Sequence, residues 1–183
     1  DYGINDALLI DNTGVYKDYD SLKIHLNLDG ISKILLTAPG SGIPNIVYGV
    51  NQKDVNINSD LIISAASCTT NAIAPILKVL NDHTNINKGH IETIHAYTND
   101  QNLLDNMHNK SRRGRSAAIN MVITSTGAGK AVTKVIPGLE NKLTANAIRV
   151  PTPNGSLAIM NLNLKNNTSI EKVNELIRQA ALE

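Results

Sequence analysis

Short, continuous apolar runs recur along the first third of the chain, and each ends in turn residues. They occupy residues 7–10, 33–37, 46–50 and 61–64. Runs of this length predict strands buried on both faces, as in a parallel sheet. Residues 20–28 lie between the first two runs and begin with the helix-capping residues Asp20 and Ser21, which predict a helix. The alternation predicts the latter part of a doubly wound α/β sheet, which binds ligands at the carboxyl ends of its strands.

The usual opening of such a sheet is missing from this sequence. No G-x-G-x-x-G motif stands near the start, so the phosphate-cradling turn of a dinucleotide-binding domain is either absent or lies upstream. The chain starts at Asp1 without Met and opens almost at once into a strand. We therefore expect a fragment of a longer protein.

The pattern changes at residue 67, where we place a boundary between domains at 1–66 and 67–183. A helix is predicted to start at Cys68, and a last helix at Thr168 or Ser169. The polar segment between residues 96 and 116 has no periodicity, and its length predicts a functional loop. The other elements predicted here are strands at 91–95, 121–124, 143–150 and 156–164 and a helix at 127–136.

The composition argues against several classes of function. The chain has no Trp and no Phe, so its core is aliphatic, and stacking on nucleic-acid bases is not expected. A net charge of +1 gives no field for nucleic acid or an acidic membrane surface, and no apolar run is long enough for a membrane span. The single cysteine forms no internal disulfide, which suits the cytoplasm, and no residue cluster has the spacing of a metal site.

Cys68 is the strongest candidate for a catalytic residue. A lone cysteine is more often a small buried hydrophobe, but here hydroxyl and amide side chains surround the thiol, in the sequence Ser67 to Asn71. A helix N-terminus and a neighbouring imidazole both favour the thiolate form of a cysteine. His95 ends a predicted strand and is the candidate base, although alone it could equally be a solvated loop residue.

Five motifs then follow one another in a fixed order along the chain. They are Ala66-Ser67-Cys68-Thr69-Thr70-Asn71, His95-Ala96-Tyr97-Thr98-Asn99-Asp100-Gln101, Arg112-Arg113-Gly114-Arg115, Ser125-Thr126-Gly127-Ala128-Gly129-Lys130-Ala131 and Arg149-Val150-Pro151-Thr152-Pro153-Asn154. Together they resemble phosphorylating glyceraldehyde-3-phosphate dehydrogenase. The resemblance covers the whole chain, because residues 12–16 and 37–39 are similar to cofactor-domain segments of that family.

The resemblance implies a fold, a reaction and a set of site residues. The fold is the end of an NAD-binding Rossmann sheet followed by an α+β catalytic domain with a mixed sheet, both incomplete. The reaction is the oxidation of glyceraldehyde 3-phosphate by NAD with uptake of inorganic phosphate, through a Cys68 thiohemiacetal and thioester, with His95 as base. The implied phosphate-binding residues are Ser67, Thr69, Thr98, Arg113, Thr126, Gly127 and Arg149, and the implied cofactor-binding residues are Thr13, Gly14 and Thr37.

Several points stay open at this stage. The resemblance favours NAD but leaves NADP possible, and it implies a homotetramer with the segment 99–116 at a subunit interface. Erythrose-4-phosphate dehydrogenase, a cofactor-free cysteine hydrolase or acyltransferase, and a catalytically silent assembly fragment are the alternatives. The chain departs from the family at Ala72, where many relatives carry a second cysteine, and at Gly155, where a β-branched residue is common; the sequence offers no physical account of this glycine.

Overall fold

The computed structural model describes residues 3–56, 58–124 and 126–182. The chain divides into two compact units. Unit 1 comprises Asp1–Val79, Ala131–Gly138 and Leu176–Glu183, and unit 2 comprises Leu80–Lys130 and Leu139–Glu175. The fold is α/β, with a parallel sheet in unit 1 and a mixed sheet in unit 2, as predicted.

The parallel sheet of unit 1 consists of three strands, β1 (Ala7–Asp11), β2 (Ile31–Leu36) and β3 (Ile62–Ser64). Strand β2 lies in the centre and pairs in parallel with both neighbours. Ile34 and Leu36 of this strand are fully buried. The continuous apolar runs therefore do mark parallel strands, and their carboxyl ends lie at one edge of the sheet.

The predicted helix between β1 and β2 forms in two parts. Helix α1 (Tyr19–Leu22) continues into a 3-10 helix at Lys23–Asn27. The cap is Asp18, not Asp20: its carboxylate accepts a hydrogen bond from the Ser21 amide at 2.9 Å. Leu22 is fully buried in a cluster with four isoleucine and leucine side chains, namely Ile34, Leu36, Ile43 and Ile62.

The strand predicted at residues 46–50 is wrong, because this segment forms a turn. Asn51 closes the turn: its side-chain oxygen accepts from the Val47 amide at 2.8 Å, and its amide nitrogen donates to the Asn45 carbonyl at 2.9 Å. Gly49 has a φ of +80°, a conformation that interrupts any strand. Val47 is still buried, so its apolar character reflects packing rather than strand pairing.

The longer helices begin close to their predicted positions. They are α2 (Cys68–Thr84), α3 (Ala128–Val135) and α4 (Ile170–Ala180). Ser169, one of the two predicted start residues, caps α4, since its hydroxyl accepts from the Lys172 amide at 3.2 Å. Among the described residues, no helix has both the length and the apolar character that crossing a membrane requires.

The mixed sheet of unit 2 has four strands in the order β5 (Val122–Thr124), β6 (Leu143–Val150), β4 (Ile86–Ala96) and β7 (Ser156–Leu164). Strand β4 pairs in parallel with β6 and antiparallel with β7. Consecutive strands β6 and β7 thus lie on opposite sides of β4. Gly155 belongs to the link between them and has a φ of +84°, which explains the glycine, since a β-branched residue would be strained there.

Candidate functional site

In unit 1, the turn before α2 presents Cys68 on the first turn of a 17-residue helix. Ser67 is the helix cap: its hydroxyl oxygen lies 3.0 Å from the Thr70 amide, which donates to it, and 2.7 Å from the Thr70 hydroxyl. Thr70 is fully buried, whereas Cys68 is exposed. The hydrogen bonds of the cap therefore hold the turn against the buried Thr70, while the Cys68 thiol stays exposed at the positive end of the helix.

The backbone immediately before the cap is held in an unusual conformation. Ala66 has a φ of +57° and is 4% exposed, and its amide donates to the Ser64 hydroxyl at 3.0 Å. Asn71 reaches back from the helix and donates from its side chain to the carbonyls of Ala65 at 2.8 Å and Ser67 at 2.9 Å. A non-glycine residue with positive φ is strained, so these bonds hold the turn in place.

The three cofactor-binding candidates of unit 1 lie around one buried carboxylate at the ends of β1 and β2. Asp11 is 5% exposed and accepts from both the amide and the hydroxyl of Thr13, each at 3.0 Å. The Thr37 amide and hydroxyl donate to the Asp11 carbonyl at 2.9 Å and 3.1 Å. A Cβ placed on Gly14 would meet no heavy atom within 4 Å. Thr13, Gly14 and Thr37 are therefore exposed at the carboxyl edge of a parallel sheet.

In unit 2, His95 and Arg149 stand side by side on the neighbouring parallel strands β4 and β6. Arg149 Nη1 lies 2.8 Å from His95 Nδ1, 3.0 Å from the Ala96 carbonyl oxygen and 3.1 Å from the Thr98 hydroxyl. His95 Nδ1 also lies 2.6 Å from the Ala96 carbonyl oxygen. Three of the predicted site residues are therefore joined through one guanidinium nitrogen.

Arg113 is the second arginine of this cluster and is 7% exposed. It lies in a 3-10 helix at Ser111–Gly114, forms an ion pair with Asp100, and donates from Nε to the Thr124 hydroxyl at 3.2 Å. Burial lowers the pKa of the Arg113 guanidinium from its ordinary value, and the positive charge of Arg149 lowers it further. The two arginines bring two positive charges to one carboxylate, that of Asp100, and the remaining positive charge favours a further anion.

Asp100 is a site residue that the sequence interpretation missed. Its carboxylate accepts from the Thr98 hydroxyl at 2.6 Å in addition to pairing with Arg113. The local signal was a threonine followed two residues later by an aspartate, a spacing at which side chains commonly bond across a turn. Asp11 was also missed, although a similar signal was present, since Asp11 precedes Thr13 by two residues.

Thr126 and Gly127 lie at the start of α3, and the hydrogen bond of Thr126 is local. Its hydroxyl accepts from the Ala128 amide at 3.1 Å and so caps the helix. Gly127 is exposed, and a Cβ there would meet no heavy atom within 4 Å. The start of this helix is open to an anion. Cys68 and His95 belong to different units, and their pairing stays a prediction.

Comparison with known proteins gives consistent matches. Residues 67–183 match the family model described as glyceraldehyde 3-phosphate dehydrogenase, C-terminal domain. A glyceraldehyde-3-phosphate dehydrogenase-like protein of Pseudomonas aeruginosa is 59% identical, covering 99% of this chain and 39% of that protein. Glyceraldehyde-3-phosphate dehydrogenase 2 of Trichormus variabilis is 49% identical, covering 95% and 52%. The chloroplastic glyceraldehyde-3-phosphate dehydrogenase A of Zea mays is 48% identical, covering 95% and 43%. The chain thus spans about half the length of these relatives, or less.

Proposed function

Because the chain belongs to the glyceraldehyde-3-phosphate dehydrogenase family, we propose that the whole protein oxidises D-glyceraldehyde 3-phosphate to 1,3-bisphosphoglycerate with inorganic phosphate. The observation that carries the proposal is the exposed Cys68 on the first turn of α2, with Ser67 as the cap. The thiolate attacks the aldehyde carbon and forms a thiohemiacetal. Loss of hydride from that carbon leaves a thioester, and phosphate then attacks the thioester and releases the thiol.

His95 acts as the base for the thiol and for the hemiacetal hydroxyl, and later returns the proton. The backbone amide of Cys68, at the helix start, helps to hold the oxyanion. Arg149, Thr98 and Arg113 offer cationic and hydroxyl donors to the phosphate groups, and their clustering in unit 2 supports this role. Ser67, Thr69, Thr126 and Gly127 complete the proposed phosphate-binding set.

The cofactor in this proposal is NAD, which accepts the hydride when it is bound. The open space at Gly14, beside the exposed Thr13 and Thr37, leaves room for a ligand at the carboxyl edge of the parallel sheet. We also propose a glycolytic and gluconeogenic role in the cytoplasm, a homotetramer, and domains divided between residues 66 and 67. Because the Zea mays relative is named as a chloroplastic protein, the cytoplasmic location of this protein needs a test of its own.

The absorbance of reduced cofactor tests the reaction directly. The absorbance is followed after the whole protein is mixed with glyceraldehyde 3-phosphate and NAD, with and without phosphate. The near-isosteric variant Cys68→Ser is assayed in the same way. We expect turnover with phosphate, and without phosphate a burst of reduced cofactor no larger than the enzyme concentration. The variant should form none while keeping the same circular dichroism spectrum. Turnover by the variant, or turnover that ignores phosphate, would contradict the thioester mechanism, and a parallel assay with NADP decides the cofactor.

A further inference from the structure

The contacts of His95 Nδ1 cannot all be hydrogen bonds at once. A guanidinium nitrogen is only a donor, so Arg149 Nη1 at 2.8 Å bonds to Nδ1 only if that nitrogen carries no proton. A carbonyl oxygen is only an acceptor, so the Ala96 oxygen at 2.6 Å bonds to Nδ1 only if that nitrogen does carry one. The two contacts therefore require opposite tautomers of the neutral ring.

Each tautomer has a different consequence for the reaction. When Arg149 donates to Nδ1, the ring proton resides on Nε2, and Nε2 has no lone pair with which to accept a proton. When Nδ1–H donates to the Ala96 carbonyl, the lone pair lies on Nε2, as a general base requires. The position of Arg149 thus decides whether His95 presents a donor or an acceptor from its outer nitrogen.

A phosphate group is the ligand suited to move Arg149. The Nη1 contacts to Ala96 and Thr98 are to neutral oxygens at 3.0 Å and 3.1 Å, whereas a phosphate oxygen carries negative charge and can accept from the guanidinium in a bidentate arrangement. Arg113 and Arg149 bring two positive charges against the single negative charge of the Asp100 carboxylate, so the cluster still favours an added anion. Arg113 is paired with the carboxylate of Asp100, whereas the Nη1 contacts of Arg149 described above are to a ring nitrogen and two neutral oxygens, so we expect Arg149 to respond to an added anion.

We propose that Arg149 is a positioning residue that couples phosphate binding to the tautomer of His95. The phosphate ester of the substrate draws Nη1 away from Nδ1. The ring then gives its Nε2 proton to water and takes a proton from water at Nδ1, and Nδ1–H donates to the Ala96 carbonyl. The ring charge is unchanged by this exchange. The inference rests on the proposed function, since it assumes that Arg149 binds the phosphate ester and that His95 is the base.

Nitrogen-15 NMR of the histidine rings in the whole protein tests the coupling. At alkaline pH, where imidazole rings are neutral, the chemical shifts of Nδ1 and Nε2 report which nitrogen carries the proton. The probe is glycerol 3-phosphate, a phosphate ester without an aldehyde, with glycerol as the control. The phosphorus-31 signal of the same sample follows binding, and the variant His95→Asn identifies the His95 signals among those of the other histidines.

His90 provides an internal control on the same strand. Its Nε2 lies 2.8 Å from the Asn146 side-chain oxygen and its Nδ1 lies 2.7 Å from the Thr144 hydroxyl. The Asn146 orientation is set by its amide nitrogen, which donates to Glu92 at 3.2 Å. The proton of His90 therefore stays on Nε2 whether or not phosphate is present.

We expect the His95 proton on Nε2 in the free protein and on Nδ1 when glycerol 3-phosphate saturates it, with no change on adding glycerol and none at His90. In Arg149→Met the proton should reside on Nδ1 throughout. A His95 tautomer that is the same with and without bound phosphate ester would overturn the coupling, even if the protein forms reduced cofactor. So would a free Arg149→Met variant whose His95 tautomer is the same as that of the free parent protein. A tautomer change in a protein that forms no reduced cofactor would instead reject the proposed reaction and keep the coupling.

Discussion

The cap of α2 carries a prediction whose size follows from two hydrogen bonds. In Ser67→Ala the Thr70 amide loses its acceptor, and removal of a helix cap costs about 1 kcal/mol. The Thr70 hydroxyl, which is fully buried, also loses its partner at 2.7 Å, and an unpaired buried hydroxyl costs about 1 kcal/mol or more. We expect a total loss of about 2 kcal/mol, which lowers the melting temperature of a chain of this size by roughly 4–8 °C.

The double variant Ser67→Ala/Thr70→Val distinguishes this explanation from a general effect of mutation. Thr70→Val alone removes the hydroxyl but keeps the cap on the amide, so it should cost no more than about 1 kcal/mol. In the double variant no hydroxyl is left unpaired, and its cost should be about 1 kcal/mol less than the sum of the two single costs. The exposed Ser59→Ala is the matched control and should change stability by no more than about 0.5 kcal/mol.

The assay is urea unfolding followed by circular dichroism, with hydrogen exchange of the Thr70 amide as a local measurement. Exchange at that amide should accelerate in Ser67→Ala and remain slow in Thr70→Val. Additive effects of the two substitutions, within about 0.3 kcal/mol, would show that the bond between the two hydroxyls contributes nothing. The reasoning about the buried pair of hydroxyls would then be refuted, and an unchanged exchange rate of the Thr70 amide in Ser67→Ala would refute the reasoning about the cap.

The remaining predictions concern unit 2. Gly114→Ala should destabilise the protein by roughly 1–3 kcal/mol, since the new methyl group would collide with the Asn106 carbonyl oxygen. In Gly127→Ala the methyl group meets open space, so the urea midpoint should be unchanged. Because Gly127 belongs to the proposed phosphate-binding set, this variant should raise the KM for phosphate. The pKa of Asp105 is lowered from 3.8, first by the backbone amide of Ser116, so its stabilising effect is present above pH 3.8 and is lost as the pH falls through the lower folded-state value. In Asp105→Asn the melting temperature should therefore fall less than that of the parent as the pH is lowered below 3.8. A profile of melting temperature against pH that is identical to that of the parent would refute this assignment.

Local patterns were sufficient for most elements of the fold. The apolar runs at β1, β2 and β3 and the helix that starts at Cys68 depend on neighbouring residues, and each occurs close to its predicted position. The turn at residues 46–50 was missed because its apolar residues pack without pairing, and the Asn51 side chain supplies bonds that a strand would have made. An asparagine after an apolar run is compatible with either outcome, so the sequence could not decide.

The candidate site was only partly accessible to sequence reasoning. Motifs predicted its chemistry, but the contact of His95 with Arg149 depends on the register of two strands whose residues lie 54 positions apart. The ion pair of Asp100 with Arg113 likewise depends on how the polar segment folds over itself. Such contacts follow from tertiary packing, and no local pattern encodes them.

The position of β4 between β6 and β7 has a consequence for how the chain reaches its native state. Because the strand is flanked by two later segments, the ribosome releases β4 long before either neighbour exists. Closing the loop of 54 residues between His95 and Arg149 costs about 3.5 kcal/mol of chain entropy before any pairing compensates it. Topologies dominated by such distant pairings fold slowly. We therefore expect the contact of His95 with Arg149 to form late in folding.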